Sequence, residues 1–189
     1  MEVFFIFKAN EKSYQLRKSA ALAMLVAISI ILGKYLALSI GEVLRFSLEN
    51  LPIIFAGIVF GPLSAILVAV TADLVGCLLV GYAINPIVTL GAATIAAVAG
   101  IVPRVIKKHS PLGEKTTIAL AIILSHLFGS VLIKTVGLAV FYDMPIFVLM
   151  LWRLLNYTII SVCEFSLITV LLNRDGVRRE IDKLTSKSK

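Results

Sequence analysis

Charged and polar side chains interrupt the long apolar runs of this sequence at only a few places. Asp73, Lys134 and Arg153 each lie inside such a run, and Asn156 follows Arg153 by three residues. A charge in the hydrocarbon core of a membrane costs about 2.5–3.5 kcal/mol or more, so it usually faces a partner or a cavity. Cations beside hydrogen-bonding groups suit an anionic ligand, because charge-assisted hydrogen bonds are strong. These residues therefore indicate a polar binding site for an anionic ligand.

The composition indicates that the elements holding these residues lie in a membrane. Of the 189 residues, 59% are hydrophobic and 15% are charged, whereas soluble domains average about 45–50% and about 25%. A small domain cannot hide that excess in one core. A soluble enzyme, a disordered tail and a nucleic-acid-binding domain are thereby excluded, despite the net charge of +7. Cys77 and Cys163 lie in apolar runs and are interpreted as small hydrophobes rather than a disulfide or a metal site.

Turn signals and polar segments divide the chain into six apolar stretches. Runs of this length are helices rather than barrel strands. The predicted fold class is an all-α membrane protein, a six-transmembrane-helix bundle that forms one integral membrane domain over residues 1–189. The helices are expected at about residues 19–39, 50–60, 63–80, 86–102, 117–141 and 145–172.

The basic residues predict the orientation of the bundle. Fourteen of the eighteen Lys and Arg residues lie before the first predicted helix, between the fourth and fifth, or after the sixth. By the positive-inside rule these segments face the cytoplasm, together with both termini. We therefore expect a multi-pass protein of the cell membrane.

In this orientation most intramembrane polar residues gather toward the outer leaflet, where they predict a substrate-binding site. The candidates are Arg45, Asn50, Asp73, Tyr82, Asn85, Thr89, Lys134, Trp152, Arg153 and Asn156. In the alternative interpretation, Asp73 pairs with Lys134 or Arg153 only to hold the bundle together.

Two further titratable residues are expected deeper in the bundle. For His126 we favour a hydrogen bond between helices. For Glu164, a place at the floor of the pocket and a buried hydrogen bond both remain open.

Small residues form a stripe along the first predicted helix, at Ser19, Ala23 and Ala27. This spacing allows close helix approach, and from spacing alone packing inside the bundle is the simpler interpretation. The fourth predicted helix is also rich in Gly and Ala, which indicates tight internal packing. The sequence contains no G-x-x-x-x-G-K-[ST] phosphate loop, no H-E-x-x-H and no G-x-S-x-G, so these ATP-binding and hydrolytic chemistries have no support.

Two segments resemble the S components of energy-coupling factor (ECF) transporters, most closely their folate-specific (FolT) branch. The segments are LRFSLENLPIIFAGIVFGP at 44–62 and ADLVGCLLVGYAINPIVTLGAA at 72–93, with Trp152 and Arg153 in support. The resemblance implies a substrate-binding membrane subunit rather than an enzyme. Such a subunit binds folate from outside as its transported ligand, and no metal or other cofactor is expected. It delivers the vitamin inward when docked on a transmembrane coupling subunit with two ATP-binding subunits.

The resemblance also implies roles for individual residues. Ala23 and Ala27 match an A-x-x-x-A stripe that contacts the coupling subunit. Folate combines a pterin ring with a glutamate tail, and its candidate contacts fall into three groups. Arg45, Lys134 and Arg153 are candidates for the tail or ring, Asp73, Asn85 and Asn156 for the pterin edge, and Tyr82 or Trp152 for ring stacking.

Three alternatives remain open at this stage. One is an S component for another vitamin or precursor of the pyridoxine or pantothenate type, because Glu49-Asn50 and the GYAINP loop depart from the folate pattern. Another is a small intramembrane enzyme that uses Asp73, Glu164 and His126 for acid–base chemistry. The third is a carrier driven by an ion gradient without partner subunits.

Overall fold

The computed structural model describes the backbone of residues 2–40, 44–109 and 112–185, and the side chains of 13–38, 46–108, 112–141 and 143–185. Within these ranges the chain forms helices and one short ribbon. Helix α1 (Glu2–Ile30) continues into a π-helical turn, π1 (Ile31–Tyr35), and strands β1 (Leu38–Ile40) and β2 (Leu44–Phe46) follow. The remaining elements are α2 (Asn50–Phe60), α3 (Pro62–Val80), α4 (Pro86–His109), α5 (Glu114–Ser125), π2 (His126–Ile133), α6 (Lys134–Tyr142), α7 (Ile146–Leu172) and α8 (Asp175–Thr185).

The predicted fold class is confirmed, with one helix of half length. Five described segments are long and apolar enough to cross a membrane: Ser13–Tyr35, Pro62–Val80, Pro86–Lys108, Glu114–Phe141 and Ile146–Leu172. The sixth apolar helix, α2, has only 11 residues. At about 1.5 Å per residue it is roughly 16 Å long, about half the thickness of the hydrocarbon core.

The largest departure from the predicted helices follows the first span. The helix ends at Tyr35 instead of continuing to residue 39, and Leu38 pairs with Phe46 in an antiparallel ribbon. Leu38-Ser39-Ile40 and Leu44-Arg45-Phe46 alternate apolar and polar residues, which is the period of a strand rather than of a helix. This ribbon packs through β2 against α7.

Other differences lie where helices extend beyond their apolar segments. Helix α4 runs through Pro103 to His109 instead of ending near residue 102. Helix α8 was not predicted, and its three apolar residues Val177, Ile181 and Leu184 are half-buried while its charged residues are exposed. A helix in water or at the interface keeps its own backbone hydrogen bonds, so hydropathy alone does not mark where it ends.

The core joins α2, α3, α4 and α5 and is centred on Ile54, Val68, Ile95 and Ile122, each completely buried. The small residues of α4 face this core, where Ala92, Ala96 and Ala99 are buried. The predicted internal packing of this helix is therefore confirmed.

The C-terminal end of α2 is fixed by Gly61 and Arg104. Gly61 has φ +99°, a conformation that favours glycine, and it separates α2 from α3. The Arg104 guanidinium donates to the carbonyl of Gly57 at 3.2 Å and also to that of Gly100. A cation here stabilises the helix C-terminus. With this end fixed, α2 begins about halfway along the bundle.

Candidate functional site

A cavity lies above the start of α2, at the end of the bundle that carries the β1–β2 ribbon. We call this the ribbon end. Residues of α1, π1, α2, α3, α4 and α6 line this cavity, together with Glu49 just before α2. The volume of the cavity is about 20 Å³, and apolar walls from Ile30, Ile53 and three alanines surround a group of polar side chains. The polar lining consists of Ser29, Lys34, Glu49, Asn50, Asp73 and Lys134.

An ion pair between Lys134 and Glu49 crosses this cavity. Lys134 Nζ lies 3.3 Å from Glu49 Oε1, and the exposed fractions of the two side chains are 7% and 28%. A buried ammonium group is costly without a counter-charge. Glu49 therefore provides electrostatic compensation for Lys134, which stands on a membrane-spanning segment.

The second cation of the cavity, Lys34, lies along α3. Its Nζ is 3.9 Å from Cys77 Sγ and 5.5 Å from the centroid of the Tyr82 ring. Tyr82, predicted as a stacking residue, thus stands beside Lys34 at the rim, where its side chain is 54% exposed.

Both lysines are associated with π-helical turns. Lys34 lies within π1, and Lys134 directly follows π2. A π turn is wider than an α turn and often occurs at functional sites, because it changes the direction in which later side chains point. The two turns therefore help to determine which side chains face the cavity.

The hydrogen bond that Asp73 accepts comes from a hydroxyl group. Asp73 Oδ2 accepts a hydrogen bond from Thr89 Oγ1 at 2.6 Å, which joins α3 to α4. The alternative that Asp73 pairs with Lys134 or Arg153 is wrong, because Lys134 pairs with Glu49. Arg153 donates instead to the Ser130 carbonyl at 3.0 Å and to the Tyr157 hydroxyl at 3.3 Å.

Asn50 presents an unused amide to the cavity. Its side chain is completely buried. Neither Oδ1 nor Nδ2 has a hydrogen-bond partner among the residues that the structure describes. Buried polar groups are nearly always paired. This amide therefore offers one acceptor and a pair of donor hydrogens to a ligand.

The remaining candidates lie outside the cavity lining. Asn85 caps α4, since its Oδ1 accepts from the amides of Ile87 and Val88 at 3.0 and 3.3 Å, and its Nδ2 donates to the Gly137 carbonyl at 2.8 Å. Trp152 is 43% exposed on the surface of α7, and Asn156 is buried in the same helix. Arg45 pairs with Ser39 in the ribbon, but its side chain lies outside the described residues.

His126 and Glu164 form a separate buried pair. His126 Nε2 lies 2.6 Å from Glu164 Oε2, His126 Nδ1 lies 3.0 Å from Ser130 Oγ, and the Tyr157 ring stacks on the imidazole at a centroid distance of 4.7 Å. The predicted hydrogen bond between helices is confirmed for His126. Of the two interpretations of Glu164, a place at the pocket floor or a buried hydrogen bond, the structure shows the buried hydrogen bond. Asp73 lines the cavity at the ribbon end, so the three residues do not form one acid–base set.

Three residues of the cavity lining were not predicted as site residues: Ser29, Lys34 and Glu49. Lys34 carries a charge at the end of an apolar run, so the rule that selected Asp73 and Lys134 could also have selected it. Glu49 gives no such signal because it precedes an apolar helix, in a segment predicted as a loop.

The stripe of small residues on α1 faces outward. Ser19, Ala23 and Ala27 are exposed, and nearby Leu16 and Met24 are 73% and 62% exposed. Spacing alone favoured packing of this stripe inside the bundle. In the part of the chain that the structure describes, that interpretation is wrong.

A membrane bundle that encloses a small polar cavity beside an unpaired amide has the structure of a ligand-binding membrane protein. The family model described as "ECF transporter, substrate-specific component" matches residues 17–174. The chain belongs to this family, whose members are substrate-binding transporter subunits rather than enzymes.

Two solved structures share the fold. The first, titled "Crystal structure of FolT bound with folic acid", aligns with a TM-score of 0.65 and 23% identity, over 80% of this chain and 90% of that one. The second, "Structure and mechanism of the S component of a bacterial ECF transporter", aligns with a TM-score of 0.63 and 18% identity, over 84% and 97%. No curated protein sequence matches the chain.

Proposed function

We propose that this chain binds folate from outside the cell and delivers it inward when docked on an ATP-driven energy-coupling module. The observation that carries the proposal is the buried cavity at the ribbon end, with an unpaired amide at Asn50 and the cation of Lys134. The likeness to FolT bound with folic acid supports folate as the ligand.

The cavity residues fit the two chemical parts of folate. The pterin edge carries adjacent donors and an acceptor, which complement the amide of Asn50 and the carboxylate of Asp73. The glutamate tail carries carboxylates, which suit Lys134 and Lys34. Tyr82 and Arg45, at the rim and on the ribbon, are proposed to contact the ligand as it enters. Thr89 holds the Asp73 carboxylate in place.

The size of the cavity favours one alternative. Its volume of about 20 Å³ is far below that of ordinary ligand pockets, about 300–1,000 Å³, so any vitamin requires the walls to open. Folate requires the larger opening, whereas a single-ring vitamin of the pyridoxine type needs less movement. The two candidates differ in charge and size, so a binding measurement separates them.

The exposed stripe of α1 is the proposed contact with the coupling subunit. Small side chains at Ala23 and Ala27 allow another transmembrane helix to approach closely. The chain has no phosphate-loop motif, so ATP hydrolysis is assigned to two partner subunits. In this proposal both termini lie in the cytoplasm, and the loaded subunit rotates in the membrane to release its ligand.

Equilibrium binding to the purified chain tests the ligand. Folate, pyridoxine and pantothenate are each titrated into the wild type and into Lys134→Met, with Lys115→Met as the control because Lys115 is exposed at the other end of the bundle. We expect submicromolar folate binding that is lost only in Lys134→Met. Absence of folate binding to the wild type would contradict the assignment, and pyridoxine binding instead would support the alternative.

A further inference from the structure

Hydrogen bonds anchor the backbone of Glu49, and its side chain extends into the cavity to pair with Lys134. The Glu49 carbonyl accepts from Ser29 Oγ at 2.7 Å, and the Glu49 amide donates to Ser47 Oγ at 3.1 Å. Ser47 in turn donates to the Leu32 carbonyl at 3.2 Å. The backbone of Glu49 is therefore held against the end of α1, and its side chain alone reaches Lys134.

Gly33 keeps the path of the Glu49 side chain open. A methyl group at position 33 would come within 2.9 Å of both Glu49 Cβ and Glu49 Oε2. The carboxylate thus lies over a gap in the surface of π1. Because its side chain is four times as exposed as that of Lys134, Glu49 is the member of the pair that can turn toward water.

The charges of the cavity balance while Glu49 remains in place. Lys34 and Lys134 are opposed by Glu49 and Asp73, and Asp73 is held by Thr89. A ligand carboxylate that enters this arrangement adds a third negative charge in a poorly solvated space, which is unfavourable. If the Glu49 side chain turns away, the ligand carboxylate takes its place beside Lys134 and the balance is restored.

We infer that Glu49 is an exchangeable counter-ion: it neutralises Lys134 in the empty cavity and is displaced by the carboxylate of the ligand. The inference rests on the proposed function, since it concerns the same cavity. It makes Glu49 a specificity-determining residue. Ligands with a carboxylate must compete with it, whereas ligands that lack one bind with Glu49 in place.

The first test compares ligands with and without a carboxylate. Glu49→Gln keeps the size of the side chain and removes its charge, so folate should bind at least about fivefold more tightly, the low end of usual coupling between two bound groups. A pterin without carboxylates should gain nothing. Asp73→Asn removes a different charge from the same cavity and should not strengthen folate binding. Weaker folate binding to Glu49→Gln would overturn the inference.

The second test uses acetate and requires no vitamin. In Glu49→Gln, Lys134 lacks its counter-ion, so acetate added at constant ionic strength should raise the thermal unfolding temperature of the purified protein. The wild type should respond less, and Glu49→Gln with Lys134→Met should not respond. Equal responses in all three proteins would overturn the exchange. If acetate acts as expected while folate binds to no variant, the ligand assignment fails and the counter-ion role stands.

Discussion

Lys134 packs directly against Gly91, and the missing side chain at position 91 lets the lysine stem pass along α4. A methyl group there would lie 2.5 Å from Lys134 Cγ and 3.0 Å from the Gly129 carbonyl oxygen. Real Cβ atoms do not come so close to other atoms, so the two helices could not keep this approach with alanine. The glycine therefore determines where the buried ammonium group lies.

Gly91→Ala should displace Lys134 and weaken ligand binding. Overpacking of this kind costs about 1–3 kcal/mol, so we expect a loss of thermal stability together with reduced affinity for folate. Gly113→Ala is the matched control, because a methyl group at position 113 meets only Thr116 Oγ1, at 4.0 Å. Unchanged binding in Gly91→Ala would show that the position of Lys134 does not matter for the ligand.

Asn50→Leu should separate stability from binding. A buried polar group without a partner costs about 1–3 kcal/mol, and leucine has nearly the same shape without polar atoms. The empty protein should therefore unfold at the same or a higher temperature, while its affinity for the ligand falls. Thermal unfolding and equilibrium binding of the same preparation measure the two effects. A variant that binds folate as the wild type does would remove Asn50 from the site.

The buried pair of His126 and Glu164 should contribute to stability without affecting the ligand. Leaving one partner of a buried hydrogen bond unsatisfied typically costs about 1–3 kcal/mol, whereas replacing both partners by apolar residues of similar shape is often nearly neutral. We expect Glu164→Leu and His126→Leu each to lower the unfolding temperature. His126→Leu combined with Glu164→Leu should recover much of the loss. Folate affinity should stay unchanged in the double variant, because this pair lies outside the polar cavity.

Several features of the fold and site follow from simple rules on the sequence. Hydrocarbon excludes unpaired polar groups, so charges within apolar runs led to Asp73 and Lys134, and helix-length hydropathy led to the bundle. These rules fail where the direction of a side chain determines whether it reaches the cavity. The π turns before and around the lysines change that direction, and an ideal α-helical period does not show them.

Loop geometry accounts for the remaining differences. Asn85 has the residue type of a ligand contact, but it precedes α4 and its side chain pairs with the first amides of that helix. Asn85 therefore caps the helix, a position at which asparagine is also common. Glu49 reaches the site because Ser29 and Ser47 hold its backbone in place. The contact with Ser29 joins residues 20 positions apart, which a local sequence pattern does not show.

The exposed stripe on α1 leads to a last prediction, which concerns transport rather than binding. Ala23→Leu with Ala27→Leu should abolish uptake of folate in cells that express the energy-coupling module, while equilibrium binding to the purified chain stays intact. Overpacking a close helix contact costs about 1–3 kcal/mol, which corresponds to roughly a 5- to 150-fold loss of docking affinity. Val140→Leu is the control, since Val140 is 72% exposed on α6 and the change also enlarges an outward-facing side chain. Uptake is measured with labelled folate, and docking by co-purification of the chain with the module. If the double variant still transports folate at the wild-type rate, the coupling subunit contacts another surface of this chain.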